Sequence, residues 1–160
     1  MAGKDPIREH LALVLDWHEA HATLDQAVKG LPPRLRGALA QGLPHSIWQL
    51  VEHIRLAQKD ILEFATRARY RKKNWPADYW PKRPAPPSAE AWRKSLRDYH
   101  ADLRALAALA RNAKLALDQP VPSGTGQTIM RELLLTADHT AYHVGQIVLV
   151  RRALGAWPQG

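Results

Sequence analysis

The chain has 160 residues, 46% hydrophobic and 24% charged, the make-up of one folded globular domain rather than a disordered segment. It contains no cysteine, which excludes a disulfide scaffold, a thiolate metal site and a cysteine nucleophile. Its 23 basic and 15 acidic residues leave a net charge of +8, a balance that admits an anionic partner but identifies none until the charges are placed.

The start, Met1-Ala2-Gly3-Lys4-Asp5-Pro6, lacks a basic segment followed by an apolar one, so no secretory leader is read there. No apolar run approaches the roughly 20 residues needed to cross a bilayer. With cysteine absent as well, a soluble cytoplasmic protein without a membrane partner is expected.

Asp5-Pro6 reads as an N-cap followed by proline at the first helical position. Ile7, Leu11 and Val14, with Leu13, Trp17, Ala20, Leu24 and Ala27 beside them, continue a helical period until Gly30 and Pro32-Pro33 stop it. Residues 34–43 form a connector. Ser46 with Gln49 three residues on reads as a capping box. Leu50, His53, Ala57, Ile61 and Phe64 then share one face of a second helix. Five prolines between Arg71 and Pro87 make a continuous helix there untenable. Ser88 caps a third helix that carries Trp92, Leu96, Tyr99, Leu103, Leu106 and Leu109, and Pro120 to Gly124 break the chain before a fourth, which ends at Gly155. The expected fold is therefore all-α, a four-helix bundle in a single domain over residues 1–160, with helices at about 6–29, 46–69, 88–117 and 126–154.

His139 and His143 are four apart, which on a helix stacks them on one face, and Ile147 and Val150 continue that face inward. Two imidazoles so placed can converge on one ion at about 2.0–2.1 Å. His53, between Leu50 and Ala57 on a buried stripe, needs a partner for its nitrogens. Three histidines from two helices would leave a coordination position open, as in catalytic zinc sites. The competing reading is a chance pair plus a hydrogen-bonded core histidine. His18 and His21, with His10 further up, form a rival set on the first helix or decorate its solvent face. His45 and His100 read as surface residues.

The segments Ser46-Ile47-Trp48-Gln49-Leu50-Val51-Glu52-His53-Ile54 and Ala137-Asp138-His139-Thr140-Ala141-Tyr142-His143-Val144-Gly145-Gln146-Ile147, followed by Arg151-Arg152 and Gly155, resemble the DinB-like superfamily of metal-binding bundles, YfiT-type proteins included, over nearly the whole chain. The resemblance implies an up-down-down-up bundle, a homodimer, and a divalent ion, zinc or nickel, held by His53, His139 and His143. It further implies that the metal activates a low-molecular-weight thiol for transfer to an electrophilic small-molecule substrate.

A divalent ion with an open position can lower the pKa of bound water or deprotonate a thiol, so thiol transfer and hydrolysis are both accessible chemistries. Without cysteine, any thiolate must arrive on a co-substrate. Gln146, one turn past His143, can fix an imidazole or a ligand. Asp60 can stand behind His53 or pair with Arg151 or Arg152, and His21 can line the pocket. Asp138, next to His139, points elsewhere. Seven basic residues between Arg67 and Arg83, against Asp78 alone, interleave with Tyr70, Trp75, Tyr79 and Trp80. Such a loop can bind single-stranded nucleic acid, hold an anionic thiol, or plug the end of the bundle with its aromatics, and the plug is favoured. The leading expectation is a metal-dependent transferase. A non-catalytic metal-binding stress or sensor module comes second and a nucleic-acid binder last.

Overall fold

In the computed structural model, which describes residues 5–158, the helices are α1 (Pro6–Val14), α2 (Leu24–Val28), α3 (Ile47–Thr66), α4 (Ala89–Arg111) and α5 (Ile129–Ala153). Short 3-10 turns lie at Pro33–Leu35 and Ala77–Tyr79, and no strand occurs among the described residues. Residues 1–4, part of the segment read for a leader, lie outside the described residues. None of the helices described is long and apolar enough to cross a membrane.

α3 packs against both α4 and α5, while α1 lies across α4 and α5 and α2 rests on α5. The core they enclose is one cluster: Leu50, Val51 and Ile54 of α3, Leu103 and Leu106 of α4, and Leu133, Val144 and Ile147 of α5. Each such side chain contributes about 1.5–3 kcal/mol by leaving water. The long helices start where local chemistry says they should. Asp5 accepts from Ile7 N, Ser46 and Gln49 form the reciprocal capping box, and Ser88 and Thr128 accept from Ala91 N and Arg131 N.

Where they stop differs from the sequence-based expectation, most of all in the first helix. The continuous helix over about 6–29 is broken: α1 ends at Val14, residues 16–21 are exposed, and α2 begins afresh at Leu24. Leu13 and Trp17 face solvent, so no core contact rewards continuing the helix through them. Thr23 and Gln26 meanwhile build a capping box that starts a new helix.

The other ends are set by distant groups. α3 stops at Thr66 rather than about residue 69, and Ser123 Oγ donates to the Arg67 carbonyl (2.8 Å) and accepts from Tyr70 N. α4 stops at Arg111 rather than about residue 117. There Arg8 donates to the carbonyls of Ala110, Asn112 and Leu115 at 2.6–3.2 Å, satisfying orphan acceptors and tying α1 to the end of α4. The basic loop after α3 is clamped where it returns. Ser46 Oγ donates to the Pro84 carbonyl, and Gly37 lies so close to Ala85 that a side chain on it would collide.

Candidate metal centre

The capping box at Ser46 sets where α3 begins, and the helical period then turns His53, seven residues on, into the interior, where it is 1% exposed. On α5 the four-residue spacing brings His139 and His143 beside it, with ring centres 4.5 Å apart. The His53 ring centre lies 4.9 Å from that of His139 and 4.5 Å from that of His143. One nitrogen from each ring lies within 4.8 Å of the other two, and among the described residues this is the group of side chains able to hold a metal ion.

The hydrogen bonds assign the nitrogens. His53 Nδ1 lies 2.9 Å from the Tyr79 carbonyl oxygen, which only accepts, so Nδ1 carries the proton and Nε2 the lone pair. Gln146 Oε1 accepts from His143 Nδ1 at 2.7 Å, which fixes that ring in the same way. His139 Nε2 stands 3.1 Å from His53 Nε2. Two nitrogens bound to one tetrahedral ion at ordinary zinc distances are about 3.3 Å apart. The donor set therefore fits a divalent ion.

Electrostatics agree. Burial lowers the pKa of His53 to about 4, the Tyr79 carbonyl opposing in part. Burial, with the neighbouring His143 and His53, lowers His139 to about 3. His143 is lowered too, chiefly by burial and against the Gln146 hydrogen bond. All three are neutral at pH 7, and His53 and His143, with Nδ1 protonated, each turn an Nε2 lone pair inward.

One wall of the site comes from the loop. The indole of Trp80 stacks on His53 with centroids 3.9 Å apart and planes 4° apart, and it also stacks on His45 at 4.0 Å. His45 is half-buried rather than a surface residue, and its Nδ1 is buried with no hydrogen-bond partner among the described residues. Of the loop aromatics only Trp75, 70% exposed, stands out to solvent. Tyr70 and Tyr79 both donate their hydroxyls to Asp60, and Lys73 pairs with the same carboxylate at 3.4 Å. Through Tyr79 and Trp80 the loop thus forms one wall of the site. A cavity of about 520 Å³ lies beyond Trp75 and Tyr79, lined further by Asp60, Lys72, Lys73 and Arg131, and none of the three histidines is in its lining.

The remaining candidates fall apart. His21 is exposed and bonded through Nδ1 to the Ala22 carbonyl, and the small pocket it lines with Thr140, Ala141 and Val144 of α5 contains none of the three histidines. His18 and His10 are exposed as well. His100 pairs with Asp25, not with its sequence neighbours Asp98 and Asp102. Asp60 does not meet Arg151 or Arg152. Arg151, 2% exposed, instead donates to the carbonyls of Ala27, Lys29 and Ala156. Gln146 reaches the triad through its bond to His143. Sequence reasoning missed Tyr79 and Trp80 as neighbours of His53, since a proline-broken loop has no period from which to infer a contact.

No curated protein and no solved structure matches the chain. The family profile described as the DinB superfamily matches residues 16–147, a span that takes in His53, His139 and His143. A match over most of the length, on an all-helical fold, makes this chain a member of the DinB superfamily.

Proposed function

We propose that the protein binds one divalent metal, zinc or nickel, through His53, His139 and His143, and acts with it on small molecules, with transfer of a low-molecular-weight thiol to an electrophile as the leading chemistry. The observation that carries the reading is the convergence of three imidazoles, with the Nε2 atoms of His53 and His139 3.1 Å apart and the Nδ1 atoms of His53 and His143 held by Tyr79 and Gln146. Such an ion would supply Lewis acidity, holding a bound thiol as thiolate at neutral pH. The chain's own residues do the rest. The Tyr79 carbonyl and Gln146 orient two ligands, and Trp80 keeps water off one face of His53. The 520 Å³ cavity beyond Trp75 and Tyr79 is of the size that takes a metabolite, with the three histidines outside its lining. With no cysteine in the chain, the sulfur must come from outside it.

Elemental analysis of the untagged protein tests the first half. Near-stoichiometric metal that disappears in the His139→Ala/His143→Ala variant supports the reading, and a metal-free protein after reconstitution with Zn²⁺ and Ni²⁺ overturns it. A screen of thiols against model electrophiles tests the second half, with His53→Ala as the inactive control. The cover that Trp80 lays over His53 favours, as second reading, a metal-binding module without catalysis. Stoichiometric metal with no turnover would select it.

A further inference from the structure

Asp60 is a buried carboxylate two turns along α3 from His53, and it gathers the basic loop. Its oxygens accept from the Tyr70 hydroxyl at 2.9 Å and from the Tyr79 hydroxyl, and Lys73 Nζ lies 3.4 Å away. Tyr79 has two attachments. Its side chain is bound to Asp60, while its main-chain carbonyl takes the Nδ1 proton of His53 at 2.9 Å. The next residue, Trp80, lies flat on the same imidazole. One short stretch of loop therefore touches His53 at its edge and on its face, and the Tyr79 side chain ties that stretch to α3 again through the Asp60 carboxylate.

We infer that Asp60 is a positioning residue of the metal centre: through the Tyr79 phenol it holds the Tyr79 carbonyl against His53 Nδ1, and so keeps His53 Nε2 aimed at the space shared with His139 and His143. Groups that fix a ligating histidine from behind set its tautomer and orientation, and losing them weakens metal binding by about 10- to 100-fold. The role takes its consequence from the metal-binding reading above, but its geometry is independent of that reading. A carboxylate that merely stabilised the loop would serve equally well attached anywhere along it. Here one of its three attachments, beside Tyr70 and Lys73, falls on the residue that bonds the imidazole. The same loop carries a separate anchor, Ser123, which donates to the Arg67 carbonyl and accepts from Tyr70 N, and which has no bond to Tyr79 or His53.

The test compares Tyr79→Phe and Asp60→Asn with Ser123→Ala, using Zn²⁺ affinity by chelator competition and nitrogen-15 NMR of histidine-labelled, metal-free protein. Tyr79→Phe keeps the ring and the carbonyl and removes only the hydroxyl, so it is the variant that folds if any does. The expected result is a loss of Zn²⁺ affinity of about 10-fold or more in Tyr79→Phe and Asp60→Asn, with Ser123→Ala binding as the unaltered protein does. In the metal-free spectra His53 should be a single Nδ1–H tautomer in the unaltered protein and a mixture in the first two variants. Unchanged affinity and an unchanged His53 tautomer in Tyr79→Phe would overturn the inference, as would an equal loss in Ser123→Ala. If the unaltered protein takes up no Zn²⁺, the metal reading fails by itself and the His53 tautomer still decides the role of Asp60.

Discussion

His18 and His21, three residues apart, and His139 and His143, four apart, both have the spacing of neighbours on one helix face, yet only the second pair stands on a helix. The first pair lies in the exposed break between α1 and α2, where Thr23 restarts the chain and, among the described residues, no third metal-ligating side chain joins it. The second pair stands on α5, against which α3 packs along its length and presents His53. Spacing aligns two side chains with each other. A third ligand requires a second element held at a fixed distance, and that comes from the Leu50, Ile54, Val144 and Ile147 core rather than from the histidines themselves.

The sharpest way to break this contrast is metal content. His139→Ala/His143→Ala should reduce bound metal from near one equivalent to near none, while His18→Ala/His21→Ala should leave it intact. Retention in the first variant or loss in the second would reverse the assignment. Arg151 joins the two regions, since one guanidinium serves carboxyl-terminal carbonyls of the α2 segment and the chain after α5. Arg151→Met strands those buried acceptors and should cost about 3 kcal/mol in chemical denaturation. A loss no larger than that of a surface change would show that the tie does not matter.

Acid should act on the inner cluster. His53 and His139 stay neutral in the folded protein down to about 4 and about 3, whereas an unfolded histidine takes up its proton near 6.5. The unfolded chain binds more protons between these limits, so metal-free protein should lose stability as pH falls from about 6.5 toward 4, and these groups should have no effect above that window. After allowance for solvent screening the loss is about 2 kcal/mol. His53→Ala/His139→Ala should flatten the dependence, and an unchanged slope in that variant would place its origin elsewhere. The smallest effect is local: Thr23→Ala should cost about 1 kcal/mol and fray α2 in hydrogen exchange without altering metal uptake.

Helix starts were legible because their signals are contiguous: Asp5-Pro6, Ser46 with Gln49, and Ser88 each act on backbone groups within three residues. Helix ends were not, because Ser123 closes α3 from 56 positions away and Arg8 closes α4 from more than 100. The first helix was overextended for a related reason. Leu13 and Trp17 keep the period but face water, and a period does not report whether anything lies opposite. At the site, the three histidines were legible from spacing, an apolar stripe and the family resemblance. The Asp60–Tyr79–His53 connection was not, since it passes through a loop whose register depends on clamps at Gly37 and Ser46.

The flat contact of Trp80 on His53 makes the site its own optical gauge. Of six tryptophans in the chain, Trp80 lies with its ring centre 3.9 Å from that of His53 and Trp75 with its own at 6.2 Å. An excited indole at that range loses its energy to an open-shell ion such as Ni²⁺, whereas Zn²⁺, with a filled d shell, offers no such route. Emission from unlabelled protein would therefore dim on binding one ion and persist on binding the other, so an ordinary fluorimeter tests the metal-binding proposal and separates its two ions.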